Sequence, residues 1–394
     1  MDIQAIAAIV FVVILTIYLI SIRKRLDIQK ILFPFLYLIL YRSEFGLKFM
    51  KKIARKYPKT VRFFGAAGVV VGFLGMILIS GQLIYVLFEM FTTPDAPPGV
   101  APVLPIDAPG VVYVPFFFWI ISIFVIATVH EFAHGIVSNY HKVPVRTSGF
   151  AFFGIILPVI PAAFVEPDEK LLAKKSAKKQ LSVFAAGPFS NIVLAFIVLG
   201  LIAAVVNPLA SAAFINDGVA VSNILEDTAA HGSDLDVNEI IVQVDEDEID
   251  TVERFTEVLS DKKAGETITL ITNTDSHEIE LGEHTDDPEK GFLGVNVMQS
   301  TSKDAGFVEK YGEISVNVID WTSELFFWLF LLNLGIGLFN LLPLGIVDGG
   351  RMLQLGLVAM AKTKKGKSRA QNIWKYTSMF FLFIVLFMII AAFL

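Results

Sequence analysis

The first feature with chemical meaning is a pair of histidines four residues apart, with a glutamate beside the first. His130, Glu131 and His134 form the pattern His-Glu-x-x-His. On an α-helix, residues i and i+4 lie on one face, so both imidazoles can bind a single zinc ion. Glu131 lies about 100° around such a helix from His130. It can act as a general base on a water molecule in the open coordination position, so the pattern predicts a zinc site that activates water.

Two histidines leave a catalytic zinc site one protein ligand short, and Asp348 is the strongest candidate for the third. It follows an apolar stretch interrupted by Pro343. A helix broken there frees its carbonyls and lets the carboxylate turn inward. Alternatively, Asp348 simply caps the next helix near Arg351. Helical rise of about 1.5 Å per residue would carry Asp348 deeper than His130, so a shared zinc ion requires the break near Pro343.

A further candidate is Asn191, in the sequence Gly187-Pro-Phe-Ser-Asn191. It too lies within an apolar stretch, where an amide costs free energy unless it is hydrogen-bonded. The side chain can hold a substrate carbonyl or the oxyanion of a tetrahedral intermediate. It can equally form a hydrogen bond to a neighbouring helix, and the sequence alone leaves both roles open.

Long apolar stretches position these candidates in a membrane. About 20 apolar residues cross the hydrocarbon core. The predicted spans are Ile3–Ile20, Phe63–Phe91, Val114–Ser138, Leu181–Val206, Trp321–Leu342 and Trp374–Leu394. Ionisable residues within a span are costly and indicate function by default. The alternative is that the third helix ends near Phe132, which would leave both histidines at the wet interface.

The charges between the spans alternate. Segments 22–62, 142–180 and 362–369 are basic, whereas 92–112 contains no Lys or Arg and 207–320 holds 26 acidic and six basic residues. Under the positive-inside rule, one orientation satisfies every segment. It places both termini and the acidic segment outside, and the basic segments in the cytosol. We therefore expect a multi-pass protein of the cytoplasmic membrane, with its active site towards the cytosolic side.

The composition restricts the chemistry. The 394 residues are 55% hydrophobic and include six histidines but no cysteine. Disulfides, thiolate nucleophiles and cysteine-bound metals are thereby excluded. The four histidines outside the motif are predicted to be surface residues: His141, His231, His277 and His284. The first apolar stretch is predicted to be a retained span, because basic residues follow rather than precede it and no small-residue cleavage site is present.

Two other apolar segments are too short or too broken to span. Ile31–Tyr41 is predicted to be an interfacial helix. Gly149–Val165 is interrupted by Gly154, Pro158 and Pro161. Because proline breaks helices, this segment is predicted to be a β-hairpin or re-entrant loop that dips into the membrane beside the third span.

The acidic segment has the pattern of a small α+β domain. The predicted strands are Val219–Ile224, Ile240–Val244, Thr267–Ile271 and Phe292–Val297. A helix, Val252–Leu259, is predicted between the second and third strands. Short strands enclosing a helix at this size are similar to a PDZ domain. No typical glycine-rich loop for binding a carboxylate is evident.

Three motifs together resemble the site-2 protease family of intramembrane zinc metalloproteases, in its PDZ-containing branch. They occur in order on three predicted spans, and the resemblance covers residues 114–360. The motifs are His130-Glu131-x-x-His134, Gly187-Pro-x-x-Asn191 and Asn340-x-x-Pro-x-x-x-x-Asp348-Gly.

The resemblance implies one zinc ion per chain, bound by His130, His134 and Asp348, with Glu131 as the catalytic base. It implies that Asn191 positions substrate or stabilises the oxyanion. It also implies a substrate-binding strand over Gly149–Ile156, with contacts from Gly149, Phe150, Phe152, Gly154 and Asn340. A helical substrate hides its amides, so an edge strand that holds an unwound segment is physically reasonable.

The resulting fold class is a polytopic α-helical membrane protein. We expect about six transmembrane helices, a membrane-dipping β-hairpin and an inserted α+β PDZ-like soluble domain. Residues 1–62 form the N-terminal span and a basic segment, 63–206 and 316–394 form the two parts of the membrane protease domain, and 207–315 form the PDZ-like domain. The expected partners are transmembrane protein substrates and the lipid bilayer, with no nucleic acid.

Two other functions are compatible with these features. A metal-ion transporter also places His and Glu in spans, but it needs a polar path across the membrane. Here Val114–Ala127 and Phe326–Leu332, the outer halves of two motif spans, are apolar. A proteolytically inactive scaffold would use the PDZ-like domain to bind partners. The intact set of predicted zinc ligands argues against that second function.

Overall fold

The structure is a computed structural model that describes residues 3–32, 36–93, 96–155, 157–284 and 287–393. The chain divides into two compact units. The first comprises residues 1–202 and 324–394, and the second comprises residues 203–323. The candidate site residues all belong to the first unit.

The described residues contain twelve α-helices, most of them in the first unit. In chain order the described helices are α1 (Ile3–Ser21), α2 (Leu47–Lys56), α3 (Pro58–Thr92), α4 (Phe116–Tyr140), α5 (Glu169–Ala173), α6 (Ala177–Leu201), α7 (Asn207–Ala213), α8 (Val252–Ser260), α9 (Ala305–Tyr311), α10 (Glu313–Phe339), α11 (Asp348–Met360) and α12 (Lys364–Ala392). A short π-helical segment, Ile202–Val206, joins α6 to α7.

Six of the described helices are long and apolar enough to cross a membrane. They are Gln4–Ser21, Pro58–Thr92, Phe116–Tyr140, Ala177–Ala213, Glu313–Phe339 and Lys364–Ala392. Each of the six predicted spans therefore corresponds to one helix. Several helices extend beyond the apolar residues into polar flanks. Pro58, for example, opens α3, because the first helical turn does not need the N–H that proline lacks.

The described strands fall into four sheets. They are β1 (Leu26–Leu32), β2 (Leu36–Ser43), β3 (Val103–Leu104), β4 (Val112–Tyr113), β5 (Val145–Ile155), β6 (Leu157–Pro167), β7 (Phe214–Ile224), β8 (Ile240–Val244), β9 (Asp247–Glu248), β10 (Thr267–Thr272), β11 (Ser276–Glu280), β12 (Gly282–His284), β13 (Asp287–Phe292) and β14 (Val295–Lys303). The sheet of the first unit that matters for the site has the order β1-β2-β5-β6.

The interfacial helix predicted for Ile31–Tyr41 is wrong. Residues on both sides of the undescribed positions 33–35 belong to strands β1 and β2. A proline at position 34 disfavours a continuous helix over this segment. The segment also has a strand partner, because β2 pairs with β5 from Tyr37 opposite Gly154 to Ser43 opposite Ser148. That partner is over 100 residues away in sequence, so no local pattern reveals it.

The predicted hairpin within Gly149–Val165 is present as β5 and β6, which pair in antiparallel fashion. Its place in the sheet differs from the expectation. The implied substrate strand, Gly149–Ile155 of β5, is paired with β2 on one side and β6 on the other. A strand with two partners has no free row of amides and carbonyls for a third. Within the described residues, β1 and β6 are the edges of this sheet, and residue 156 lies outside them.

Small residues bring α3 close to the helices behind the site. Gly65, Gly68, Gly72 and Gly75 are buried on α3, at intervals of three or four residues. A Cβ at Gly72 would lie 2.7 Å from the methyl group of Met352 on α11. Contact through small residues is typical of helix packing in membranes. This packing keeps α11 against the bundle and fixes the position of its first residue, Asp348.

The second unit is built around a sheet of order β11-β10-β8-β7-β14, in which β9 pairs with β8. Its buried core includes Val219, Ile241, Phe255, Ile268 and Leu270. The predicted strand Ile240–Val244 and the helix from Val252 are present. The predicted strand Phe292–Val297 is instead divided between β13 and β14. Gly294, with φ of 82°, turns the chain between them.

Candidate metal centre

Three predicted ligands, two from α4 and one from α11, converge in the structure. Nε2 of His130 lies 3.1 Å from Oδ2 of Asp348 and 3.1 Å from Nε2 of His134. Nε2 of His134 lies 3.3 Å from the same Asp348 oxygen. The three side chains are only 12–15% exposed. A triangle of donors therefore points to one common position inside the first unit.

Asp348 reaches the histidines because the chain stops being helical before it. Helix α10 ends at Phe339, and α11 begins at Asp348. The Gly349 amide donates to the carbonyl of Asn340 at 2.8 Å, which closes the intervening turn. A Cβ on Gly349 would overlap the carbonyl of Leu341. The break near Pro343 is thus confirmed, and the alternative role of Asp348 as a cap is not observed, because α11 has no side-chain cap bond.

The donor set fits a zinc ion. Zinc binds His nitrogen and carboxylate oxygen at about 2.0–2.2 Å, so donors in a tetrahedral site lie about 3.3 Å apart. The three distances of 3.1–3.3 Å match that spacing. Within the described residues, this is the one group of three or more acidic or histidine side chains close enough to hold a metal ion. Three protein ligands leave one tetrahedral position open, as catalytic zinc sites do.

The tautomer of His134 is set by a backbone partner. Its Nδ1–H donates to the carbonyl oxygen of Val183 on α6 at 2.7 Å. The lone pair of Nε2 is then directed at the donor triangle. A metal-binding histidine commonly has its second nitrogen held in this way, which fixes both ring orientation and tautomer. Sequence reasoning did not identify Val183, because a backbone carbonyl leaves no signature in residue type.

Asn191 gives His130 the corresponding support. Its side chain is fully buried, and its amide nitrogen lies 3.3 Å from Nδ1 of His130. Its Oδ1 has no hydrogen-bond partner among the described residues. A half-turn of the amide group places Oδ1 against Nδ1–H, which satisfies the oxygen and leaves Nε2 of His130 free to bind metal. The geometry thus favours a positioning role for Asn191 over direct contact with substrate.

Gly187 explains the glycine of the second motif. A Cβ at this position would overlap Nε2 of His134 and Nε2 of His130. Only a residue without a side chain lets α6 approach the ligand face of α4 this closely. Gly187 is therefore a site residue that sequence reasoning missed. The signal was its place in the motif, four residues before Asn191 on the same helix face.

Glu131 lies beside the donor triangle but outside it. Its Oε2 accepts a hydrogen bond of 2.9 Å from the backbone amide of Val165 in β6. Both residues line a cavity of about 340 Å³ together with His130, His134, Asp348, Phe164, Phe184, Asn340 and Arg351. A carboxylate next to a metal position, on the wall of a cavity, is the arrangement of a general base.

The residues expected to bind substrate are only partly near this cavity. Asn340 lines it, although its own Nδ2 donates to the carbonyl of Ile336 at 3.0 Å. Gly149 and Gly154 instead face β2, where a Cβ would overlap the Tyr41 carbonyl or the Tyr37 ring. Phe150 lies 6.2 Å from Phe124, ring centre to ring centre. Of these expected residues, only Asn340 lines the cavity.

Two of the four histidines predicted to be surface residues are not. His277 is 9% exposed and lies 3.0 Å from Glu239, Nε2 to Oε2. Nε2 of His141 lies 2.7 Å from Oγ of Ser182. Burial, with smaller contributions from Lys179 and Lys175, lowers the pKa of His141 to about 4. Both predictions failed because the partners come from distant parts of the sequence.

The helices and the site together define an integral membrane protein with a metal site between its helices. The chain belongs to Peptidase family M50, whose family model matches residues 118–385. That range contains every predicted ligand and the second unit. Membership of this family, together with the six span-length helices, shows that the protein is a multi-pass membrane protein.

Two similarities to known proteins add detail. The zinc metalloprotease RasP of Oceanobacillus iheyensis is 27% identical over 242 residues, which cover 50% of this chain and 55% of the relative. The chain thus matches about half the length of that relative. The solved PDZ domain of an SdrC-like protein from Listeria monocytogenes is 20% identical. The match covers 21% of this chain and 88% of that domain. Its TM-score of 0.19 is too low to assign a fold.

Proposed function

We propose that this protein is an intramembrane zinc metalloprotease that hydrolyses peptide bonds within or near transmembrane segments of other membrane proteins. The observation that carries the proposal is the convergence of His130, His134 and Asp348 beside Glu131. Helix α4, which carries the two histidines and Glu131, is long enough to span a membrane. Membership of Peptidase family M50 and the similarity to a zinc metalloprotease support it.

A zinc ion held by the three ligands would supply a Lewis acid that polarises a peptide carbonyl and acidifies bound water. Glu131 lies on the cavity beside the ligands, where its carboxylate can take a proton from water and later give it to the leaving amine. Val183 holds His134 in the metal-binding tautomer. Asn191 does the same for His130 with its amide turned so that Oδ1 accepts from Nδ1–H. The low exposure of the ligands strengthens each electrostatic interaction in the site.

The edge of β6 is the best candidate for holding the substrate. It borders the cavity, and the described structure leaves it unpaired on the side away from β5. The Val165 amide already points to Glu131, so the amide and carbonyl of Ala163, two residues earlier in β6, point to the same side, where Pro161 and Pro167 offer only carbonyls. A substrate unwound into an extended strand can pair there, which would place its peptide bonds next to Glu131.

We propose that the basic segments lie in the cytosol and that the second unit lies on the outer side. The alternation of charge between the six span-length helices supports this orientation. The second unit is proposed to act as a PDZ-like docking platform or size filter. A groove of about 320 Å³ between α8 and β14 supports the docking role, with Gly294 at its end and Phe255, Leu259 and Val297 along it.

The decisive experiment compares the wild-type protein with Glu131→Gln and Asp348→Ala. Membrane proteins are profiled by quantitative proteomics in cells that express each form, and zinc is measured in each purified protein. We expect Glu131→Gln to retain zinc while substrates accumulate. Asp348→Ala should lose both zinc and cleavage. Cleavage by Glu131→Gln at the wild-type rate would refute the mechanism, and zinc-free wild-type protein would favour an inactive scaffold.

A further inference from the structure

Helix α2 has an unusually clear division between a charged face and an apolar face. The charged face carries Lys48, Lys51, Lys52, Arg55 and Lys56, all exposed. On the other face Met50 and Ala54 are buried. Within the described residues, none of the five cations forms an ion pair with a carboxylate. They line one shallow depression of the surface together, and Nζ of Lys56 also lies 5.1 Å from the centre of the Tyr57 ring.

The position of α2 places this charge at the membrane surface. Only Tyr57 separates α2 from α3, which is long enough to span. Phe45, Phe49 and Tyr57, at or beside the apolar face, are each about half exposed. Aromatic side chains with a free face are typical of the boundary between lipid and water. A basic amphipathic helix bordered by such residues lies in the plane of the interface.

An apolar cavity is lined by Phe49 and Ile53, each of which directly follows a lysine of the charged face in the sequence of α2. It has a volume of about 450 Å³ and lies between α2, α3 and α4. Phe49 and Ile53 of α2 line one side together with Tyr57, and Phe132, Ala133 and Ile136 of α4 line the other. A cationic surface joined to an apolar slot fits a ligand with an anionic head and a hydrocarbon tail.

We propose that this site binds an anionic phospholipid of the adjoining leaflet. The lipid phosphate is held by the α2 cations, and part of an acyl chain fills the apolar cavity. An acidic protein segment would match the charges but would leave the cavity without an apolar occupant. A zwitterionic lipid would fill the cavity, but its own cation would reduce the attraction to α2.

The cavity lies behind the metal centre. Phe132 and Ala133 stand between His130 and His134 in sequence, and they face the cavity while the histidines face the donor triangle. Met50 of α2 also packs directly against Gly135 of α4. A lipid in the cavity therefore supports the helix that carries both imidazoles, and its binding stabilises the ligand geometry.

Native mass spectrometry of the purified full-length protein tests the proposal without depending on proteolysis. Phosphatidylglycerol and phosphatidylcholine with identical acyl chains are titrated separately. We expect phosphatidylglycerol to bind at least about tenfold more tightly, because each Lys or Arg near an anionic lipid contributes roughly fivefold. Glycerol phosphate, which has no acyl chain, should not compete.

Two variants separate the head and tail contacts. Lys51→Gln/Lys52→Gln/Arg55→Gln should reduce the preference for phosphatidylglycerol to near that of phosphatidylcholine. The matched control, Lys364→Gln/Lys365→Gln/Lys367→Gln, removes three exposed cations from the first turn of α12 and should leave it intact. Thr60→Trp projects a ring into the cavity, since Thr60 lines it, and should weaken both lipids.

Equal binding of the two lipids by wild-type protein would overturn the proposal. An equal loss in the α12 control would also overturn it, because the attraction would then be a general effect of net charge. If the triple α2 variant keeps its lipid preference but loses a copurifying acidic protein, the surface is a protein-docking site instead. Unchanged lipid binding by Thr60→Trp would exclude the cavity as the acyl-chain site.

Discussion

The backbone amide of Val165 donates a hydrogen bond of 2.9 Å to the side chain of Glu131. This contact joins the last strand of the sheet to the helix that carries the metal ligands. It also fixes the carboxylate on the cavity side of α4, although the two residues lie 34 positions apart in the sequence. The edge of the sheet and the proposed base therefore form one unit, and a change in the strand acts directly on the base.

Replacing Val165 with proline removes this amide. Since the same amide does not pair with β5, proline here costs no ladder bond. We expect the rate of substrate cleavage to fall at least about tenfold, while bound zinc remains near the wild-type amount. Val165→Ala keeps the amide and should cleave at close to the wild-type rate. Equal loss in both variants would show that the side chain, not the amide, is what matters.

Gly187→Ala tests the close approach of α6 to the metal ligands. The added methyl group would overlap Nε2 of both histidines, so the donor triangle cannot keep its present geometry. We expect zinc content, measured by atomic emission, to drop to a small fraction of one ion per chain. Gly200→Ala on the same helix is the control, because a Cβ there meets nothing within 4 Å. Full zinc occupancy in Gly187→Ala would contradict the packing described here.

Asn191→Leu separates the two roles open to this amide. If Asn191 orients His130, its loss should weaken zinc binding about 10- to 100-fold, as for other residues that support a metal ligand. If it acts only on the oxyanion, zinc affinity stays constant and kcat alone falls. Asn333→Leu is a matched control, because Asn333 is also fully buried with an unpaired Oδ1 among the described residues. Competition with a zinc chelator measures the affinity.

Stability should fall as the pH is lowered from 7 towards 4, in part through His141. Burial lowers its pKa to about 4, against about 6.5 in an unfolded chain. Between these values the unfolded chain binds more protons, so the free energy of unfolding rises with pH. We expect His141→Gln to flatten this part of the dependence of Tm on pH. His231→Gln changes an exposed histidine, and an equal flattening there would refute the assignment.

The sequence predicted the parts of this protein that depend on local pattern. The six spans follow from the length of apolar stretches, and the face shared by His130 and His134 follows from helical periodicity. The break near Pro343 makes Asp348 a candidate ligand, with a helix cap as the alternative, and the ligand role itself is what the resemblance to site-2 proteases implies. The spans and the shared histidine face need no knowledge of which distant segments meet, so residue type and spacing are sufficient for them.

The parts that were missed depend on contacts between distant segments. Strand β2 was predicted to be helical because its partner, β5, comes over 100 residues later. The same pairing places β5 inside the sheet instead of at its edge. Gly187 acts through the absence of a side chain, and Val183 acts through its backbone carbonyl. A backbone carbonyl leaves no signal in residue type, and for Gly187 the one signal was its place in the motif before Asn191.

The separation of 218 residues between His130 and Asp348 has a consequence for biosynthesis. During translation the two histidines enter the membrane first, and the whole second unit is made before the aspartate that completes the ligand set. A ribosome-bound chain that stops short of α11 therefore holds only two of the three ligands. Under the proposed function, a chain that stops before α11 lacks a complete ligand set and cannot hydrolyse the membrane proteins assembling around it.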